Sequence, residues 1–160
     1  MYHGLIFFHV IGIFGFLITH GAAASITFAL RRERNIDRLR ALLQLSAASG
    51  RLMLIFLLVL LLSGVIGGFV GKWWGRGWIW VSLALFIAIS GAMSFMGSSI
   101  LNNVRQGIGL PSAYGNPPRP DVMSAEEIDA QLNKLQPARL ALIGFGGITI
   151  IAWLMMFKPF

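Results

Sequence analysis

The hydrophobic residues of this chain come in runs, not in alternation. Four stretches are continuously apolar, at about 4–30, 52–71, 78–101 and 140–157. A half-buried strand alternates apolar and polar positions, whereas these runs do not. A helix crossing a hydrocarbon core of about 30 Å needs roughly 20 apolar residues. Within lipid it also satisfies every backbone polar group internally. The pattern predicts an all-α fold, a four-helix transmembrane bundle running up and down, in one domain over 1–160. The first run passes Ala22-Ala23-Ala24, which mimics a leader cleavage site. It lacks a basic lead-in, and its apolar character continues to Leu30, so it reads as a retained span.

The polar positions set an orientation. Arg31, Arg32, Arg34, Arg38, Arg40 and Arg51 follow the first run; Arg105, Arg119, Lys134 and Arg139 follow the third. Only Lys72, Arg76 and Lys158 fall at the other ends. Cytoplasmic loops carry the basic excess, so both termini are expected outside (periplasmic) and the 102–138 loop in the cytoplasm. The expected location is the bacterial inner (plasma) membrane, multi-pass. The tryptophans agree: Trp73, Trp74, Trp78, Trp80 and Trp153 map near the outer interface, where an indole is half dry and half wet.

Composition sharpens this picture. Only 12% of residues are charged, about half the usual share, which disfavours a soluble enzyme. The net charge of +7 reads as membrane topology, not as nucleic-acid binding. There is no cysteine, which rules out thiolate zinc sites, iron–sulfur clusters and cysteine nucleophiles. No Asp, Glu, Lys or Arg lies inside any run, so ion-coupled transport and intramembrane catalysis are both disfavoured.

Two segments between the runs carry signals of their own. Leu39, Leu42, Leu43 and Ala47 recur at helical spacing, so the second helix is expected to begin before its apolar run. The same connector's arginines suit anionic headgroups. The 102–138 loop opens with a Gly/Pro-rich stretch. Ser124 and Glu127 then form a capping box, predicting a short amphipathic helix to about Leu135 with Ile128, Leu132 and Leu135 as its apolar stripe.

The ionisable groups within the runs are His9 and His20. Their spacing is close to three helical turns, so they share a face about 16 Å apart along the axis. His20 lies at the depth of Met93 and Met96, and His9 at that of Met155 and Met156. Two readings stay open. Each histidine hydrogen-bonds a neighbouring helix, with no cofactor; or His20, or His9, with Met ligands holds haem b, copper or a chlorophyll-type pigment. Small residues mark packing faces at Gly21 and Ser25, at Gly64, Gly68 and Gly71, and at Ser90, Ser94 and Ser98. Whether each face meets this chain or a partner is left open by the sequence.

Phe8-His-Val-Ile-Gly12, Gly50-Arg-Leu leading to Leu62-Ser-Gly64, and Trp153-Leu-Met-Met-Phe-Lys-Pro159 resemble a group of small uncharacterised four-helix integral membrane proteins. That group is distantly similar to the transmembrane domain of copper-resistance-D-type proteins. The resemblance implies a four-helix bundle and a link to copper or haem handling, with His9 the one matching residue. The chain departs from it in lacking Met- and His-rich outer ligands. Together these readings lead to an expected non-catalytic subunit, not an enzyme, that stabilises a larger membrane complex of the respiratory or photosynthetic kind. Its partners would be the bilayer and other membrane-protein subunits. The alternative is a haem- or copper-binding electron-transfer or metal-handling protein.

Overall fold

A computed structural model describes residues 2–160, and those residues form helices without strands. In chain order they are α1 (Tyr2–Arg32), α2 (Ile36–Val70), α3 (Gly77–Met93), α4 (Ser99–Gly107), α5 (Ala125–Asn133) and α6 (Pro137–Phe157). One wide π turn over Ser94–Ser98 joins α3 to α4. Four of the resulting segments are long and apolar enough to cross a membrane: Tyr2–Arg32, Ile36–Val70, Gly77–Gly107 and the segment ending at Phe157.

The helix ends follow local chemistry. α1 and α2 are separated by a tight turn in which Glu33 Oε1 accepts from the backbone N–H groups of Arg34 and Asn35, both at 2.9 Å. Asn35 then caps α2, its side-chain oxygen accepting from the N–H groups of Asp37 and Arg38 at 3.0 and 3.1 Å. This cap is why α2 starts well before its apolar run. Pro137 opens α6, where its missing N–H costs nothing. The capping box forms: Glu127 N–H donates to Ser124 Oγ at 3.2 Å, and Ser124 N–H donates to Glu127 Oε2 at 2.8 Å.

The third helix departs from expectation. It does not stop at 101 but runs on to Gly107, because nothing between Asn102 and Gln106 breaks it and Val104 is fully buried. The chain turns only at Gly107 to Gly109. Gly109 has a φ of +80°, and Gly115 further along has a φ of +88°, a region that favours glycine.

The order of packing is also particular. α1 lies along α2, α3 lies along α6, and α1 bridges the two pairs through α6. α2 and α3, though consecutive, do not pack along their lengths. α1 and α2 come close at Gly12, where an added Cβ would stand 3.0 Å from the backbone nitrogen of Leu60. The termini meet at one end of the bundle: Tyr2 lies edge-on to Trp73, and Trp78 N–H donates to the Phe160 carbonyl at 3.3 Å.

The densest core is at the opposite end. Ile26 and Leu30 of α1, Leu39 and Leu43 of α2, Val104 and Ile108 around the end of α4, and Leu132 and Leu135 around α5 form one buried cluster. Arginines clamp it. Arg105 Nε donates to the Pro111 carbonyl at 2.9 Å and its Nη1 donates to the Leu43 carbonyl at 2.6 Å. Arg31 reaches the Leu135 carbonyl at 2.5 Å, Arg40 reaches that of Ile108 at 3.3 Å, and Arg34 pairs with Asp129. Arg31, Arg34 and Arg40 of the connector were expected at lipid headgroups, and Arg105 was counted only as a topology charge. The arginines tie chain segments together instead: charged donors satisfy the carbonyls of Ile108, Pro111 and Leu135, which lie outside the helices, and Arg105 anchors this segment to the Leu43 carbonyl of α2.

Candidate functional site

The space between the two helix pairs holds a cavity of about 320 Å³. α1 supplies His20, α2 supplies Arg51 and Leu57, and the α3–α4 helix supplies Met93 and Arg105. Its walls are mainly apolar toward His20, and polar groups gather at the end nearer α4 and Tyr114. Among the described residues no Asp or Glu lines it.

His20 is 6% exposed and sits between aromatic rings, stacked on Phe16 and edge-on to Phe145. Its Nε2 is buried without a hydrogen-bond partner. It is closed off by α6, where a Cβ on Gly144 would run into the ring. His9 is placed differently. Its Nδ1 meets Ser63 Oγ at 3.0 Å, and the Ser63 hydroxyl in turn donates to the Val59 carbonyl at 2.6 Å. This pair links α1 to α2, and the ring packs over Gly64, 3.1 Å from an added Cβ. The helix-to-helix hydrogen bond weighed for His20 is thus made by His9.

Met93 shares the cavity with His20, whereas Met96 does not line it. The two histidines occupy separate surroundings. Among the described residues no three His, Asp or Glu side chains converge on a metal position. The volume is near the lower end of the roughly 300–1,000 Å³ of drug-sized ligand pockets, too small for a tetrapyrrole. An imidazole and a thioether together can ligate haem iron, but here Nε2 of His20 is shut against α6 at Gly144 and is not free to meet a metal. The residues present do not fit either group.

The packing faces divide. Gly64 receives His9, Gly68 receives the Trp74 ring, which an added Cβ would meet at 3.1 Å, and Gly71 receives Trp73. Gly21, by contrast, opens onto empty space, and Ser25 is exposed with its hydroxyl turned back to the Gly21 carbonyl at 3.0 Å. Ser90 and Ser94 are exposed, while Ser98 lines the cavity. The π turn explains the split. The Ser99 N–H bonds back to the Ser94 carbonyl, one residue further than in an α-helix. The four-residue spacing therefore stops marking one face.

The tryptophans depart from a simple lipid belt. Trp80 and Trp153 are about half exposed, as a belt requires, but Trp78 is 4% exposed and forms the floor of an aromatic cluster. Trp73 lies against Trp78, and Trp74 against Trp80. Lys158 Nζ sits 4.4 Å from the Trp73 ring centroid. Lys158 holds a left-handed φ of 46°, which folds the tail back over the cluster.

Sequence reasoning missed Arg51 and Arg105 as cavity residues, counting them only as topology charges. Their signal was present: Leu101, Val104 and Ile108 continue an apolar face through Arg105. Comparison of the chain with protein families, with curated proteins and with solved structures finds no match.

Proposed function

We propose that this protein is a non-catalytic integral membrane subunit that packs against another membrane protein through the outer face of α3. The observation that carries this is a stripe on α3. Ala84, Ala88, Gly91 and Ser94 are all exposed and recur at three- and four-residue spacing. Lipid-facing positions have no need to be small. Small residues let two helix backbones approach, which is what holds helices together in a bilayer. α3 is also the helix with the least of its apolar stretch buried within the chain. Gly21 and Ser25 on α1 offer a second, shorter small-residue surface.

The basic excess supports an inner-membrane placement with both termini on the outer side and the arginine-clamped end in the cytoplasm. On this reading the tryptophan cluster lies at the outer interface. The apolar runs carry no Asp, Glu, Lys or Arg, and the two arginines lining the cavity between the helix pairs face no carboxylate there, which supports a role in assembly over a role in catalysis or ion coupling. Gentle extraction from native membranes followed by size analysis tests the reading. The expected result is comigration with a heterologous membrane protein. Migration as a lone chain or a simple homodimer overturns it.

A further inference from the structure

Arg105 is a buried charge without a counterion. It is 7% exposed, and its two hydrogen bonds go to neutral carbonyls. Arg51 lines the same cavity from an exposed position and, among the described residues, makes no hydrogen bond or ion pair. No carboxylate faces either of them there, and the one ion pair among the described residues, Arg34 with Asp129, lies elsewhere. Burying a charge is costly unless an opposite charge meets it. Two cations lining one cavity raise that cost further.

The rest of the cavity indicates what else such an anion would carry. Away from the arginines the walls are apolar, with Leu57 and Met93 leading to the ring of His20. A methionine wall adapts to a flexible chain. The volume of about 320 Å³ admits one slender chain and not two.

We propose that the cavity between α2 and the α3–α4 helix binds a single-chain anionic amphiphile, a long-chain carboxylate of the fatty-acid class. Its head group lies on Arg51 and Arg105, and its chain runs toward His20 and Met93. This site is distinct from the outer face of α3 and does not depend on the assembly role.

The test uses the full-length protein in a non-ionic detergent, with dodecanoate, dodecanol and acetate as probes and native mass spectrometry as the readout. One dodecanoate per chain is expected. Dodecanol, which lacks the charge, and acetate, which lacks the chain, bind at least 10-fold more weakly. Arg51→Gln weakens dodecanoate binding at least 10-fold. Gly50→Leu fills the cavity from a position where a Cβ meets nothing within 4 Å, and it abolishes binding while leaving helicity and thermal stability intact. Arg38→Gln, in the exposed first turn of α2, changes nothing. Equal retention of dodecanol or acetate, wild-type binding by Arg51→Gln, or an equal loss in Arg38→Gln overturns the proposal. So does an Arg51-dependent adduct of a two-chain phospholipid in place of the single-chain acid. If Gly50→Leu fails to fold, Ala47→Phe fills the same cavity and must give the same loss.

Discussion

The two ends of this bundle are held together by different physics. At the connector end, eight aliphatic side chains from four parts of the chain form a dry cluster, and arginines tie the intervening backbone down. At the end where the termini meet, aromatic rings stack on glycines and on one lysine. The first is a soluble-type core appended to a membrane bundle: buried leucines are densely surrounded, so removing one leaves a cavity. The second is an interfacial arrangement, where every ring but the buried Trp78 keeps part of its surface outward and losses at those outward rings are small. Between the two ends there is no comparable core, only helix faces meeting across glycines and a cavity.

The largest expected effect breaks the connector end. Leu30 and Leu132 are fully buried in the cluster. Truncating either to alanine is expected to cost about 3 kcal/mol, as a cavity-forming core substitution. The measurement is thermal or mixed-micelle unfolding of the purified protein. The matching change at the other end, Trp80→Ala at a half-exposed ring, is expected to cost less than about 1 kcal/mol. Similar losses at both ends would remove the distinction.

Next comes the arginine clamp. Arg105→Met keeps the stem but deletes both carbonyl contacts, each a charge-assisted hydrogen bond worth about 1.5–3 kcal/mol. Removing an uncompensated charge offsets part of this. The expected sign is therefore local: amide exchange across 111–116 accelerates at least 10-fold while global stability moves little. Unchanged exchange there would show that Arg105 does not hold this segment.

Two smaller changes sharpen the contrast. Ser124→Ala removes the α5 cap and is expected to cost about 1 kcal/mol. Lys158→Ala removes the cation over Trp73 and is expected to cost about 0.5–1 kcal/mol. Both are read from the same unfolding midpoint. The smallest effect is a pH dependence at the α1–α2 turn. Backbone N–H groups of Asn35, then Arg34, hold the Glu33 carboxylate below its usual range. A depressed folded value means that its contribution is present above the unfolded pKa and fades as pH falls through the folded one. Acidification should therefore loosen residues 33–35 in wild type and have no such effect in Glu33→Gln, as followed by amide exchange.

The spans were legible because a bilayer demands long, uninterrupted apolar runs, a constraint that local sequence must meet by itself. The Ser124–Glu127 cap was legible for the same reason, since its partners lie three residues apart. What escaped was set by distant partners. Nothing local says that α2 leaves α3 and lies along α1, or that His9 finds Ser63 while His20 finds none. The arginines misled in an instructive way. Charge next to a span reads as topology, yet Arg31, Arg40 and Arg105 serve carbonyls of a segment that has no strand or long helix to serve them. The serine spacing on α3 does not carry through to Ser98 on one face because one π turn shifts the register, and no residue type announces that turn.

The assembly role rests on the small-residue face of α3, and a photo-crosslinking side chain at Ala88 tests it in place. Irradiated in native membranes, it is predicted to give one dominant adduct with a heterologous membrane protein, lost when Gly91 is replaced by leucine. Crosslinking only to lipid or to a second copy of the chain would contradict it.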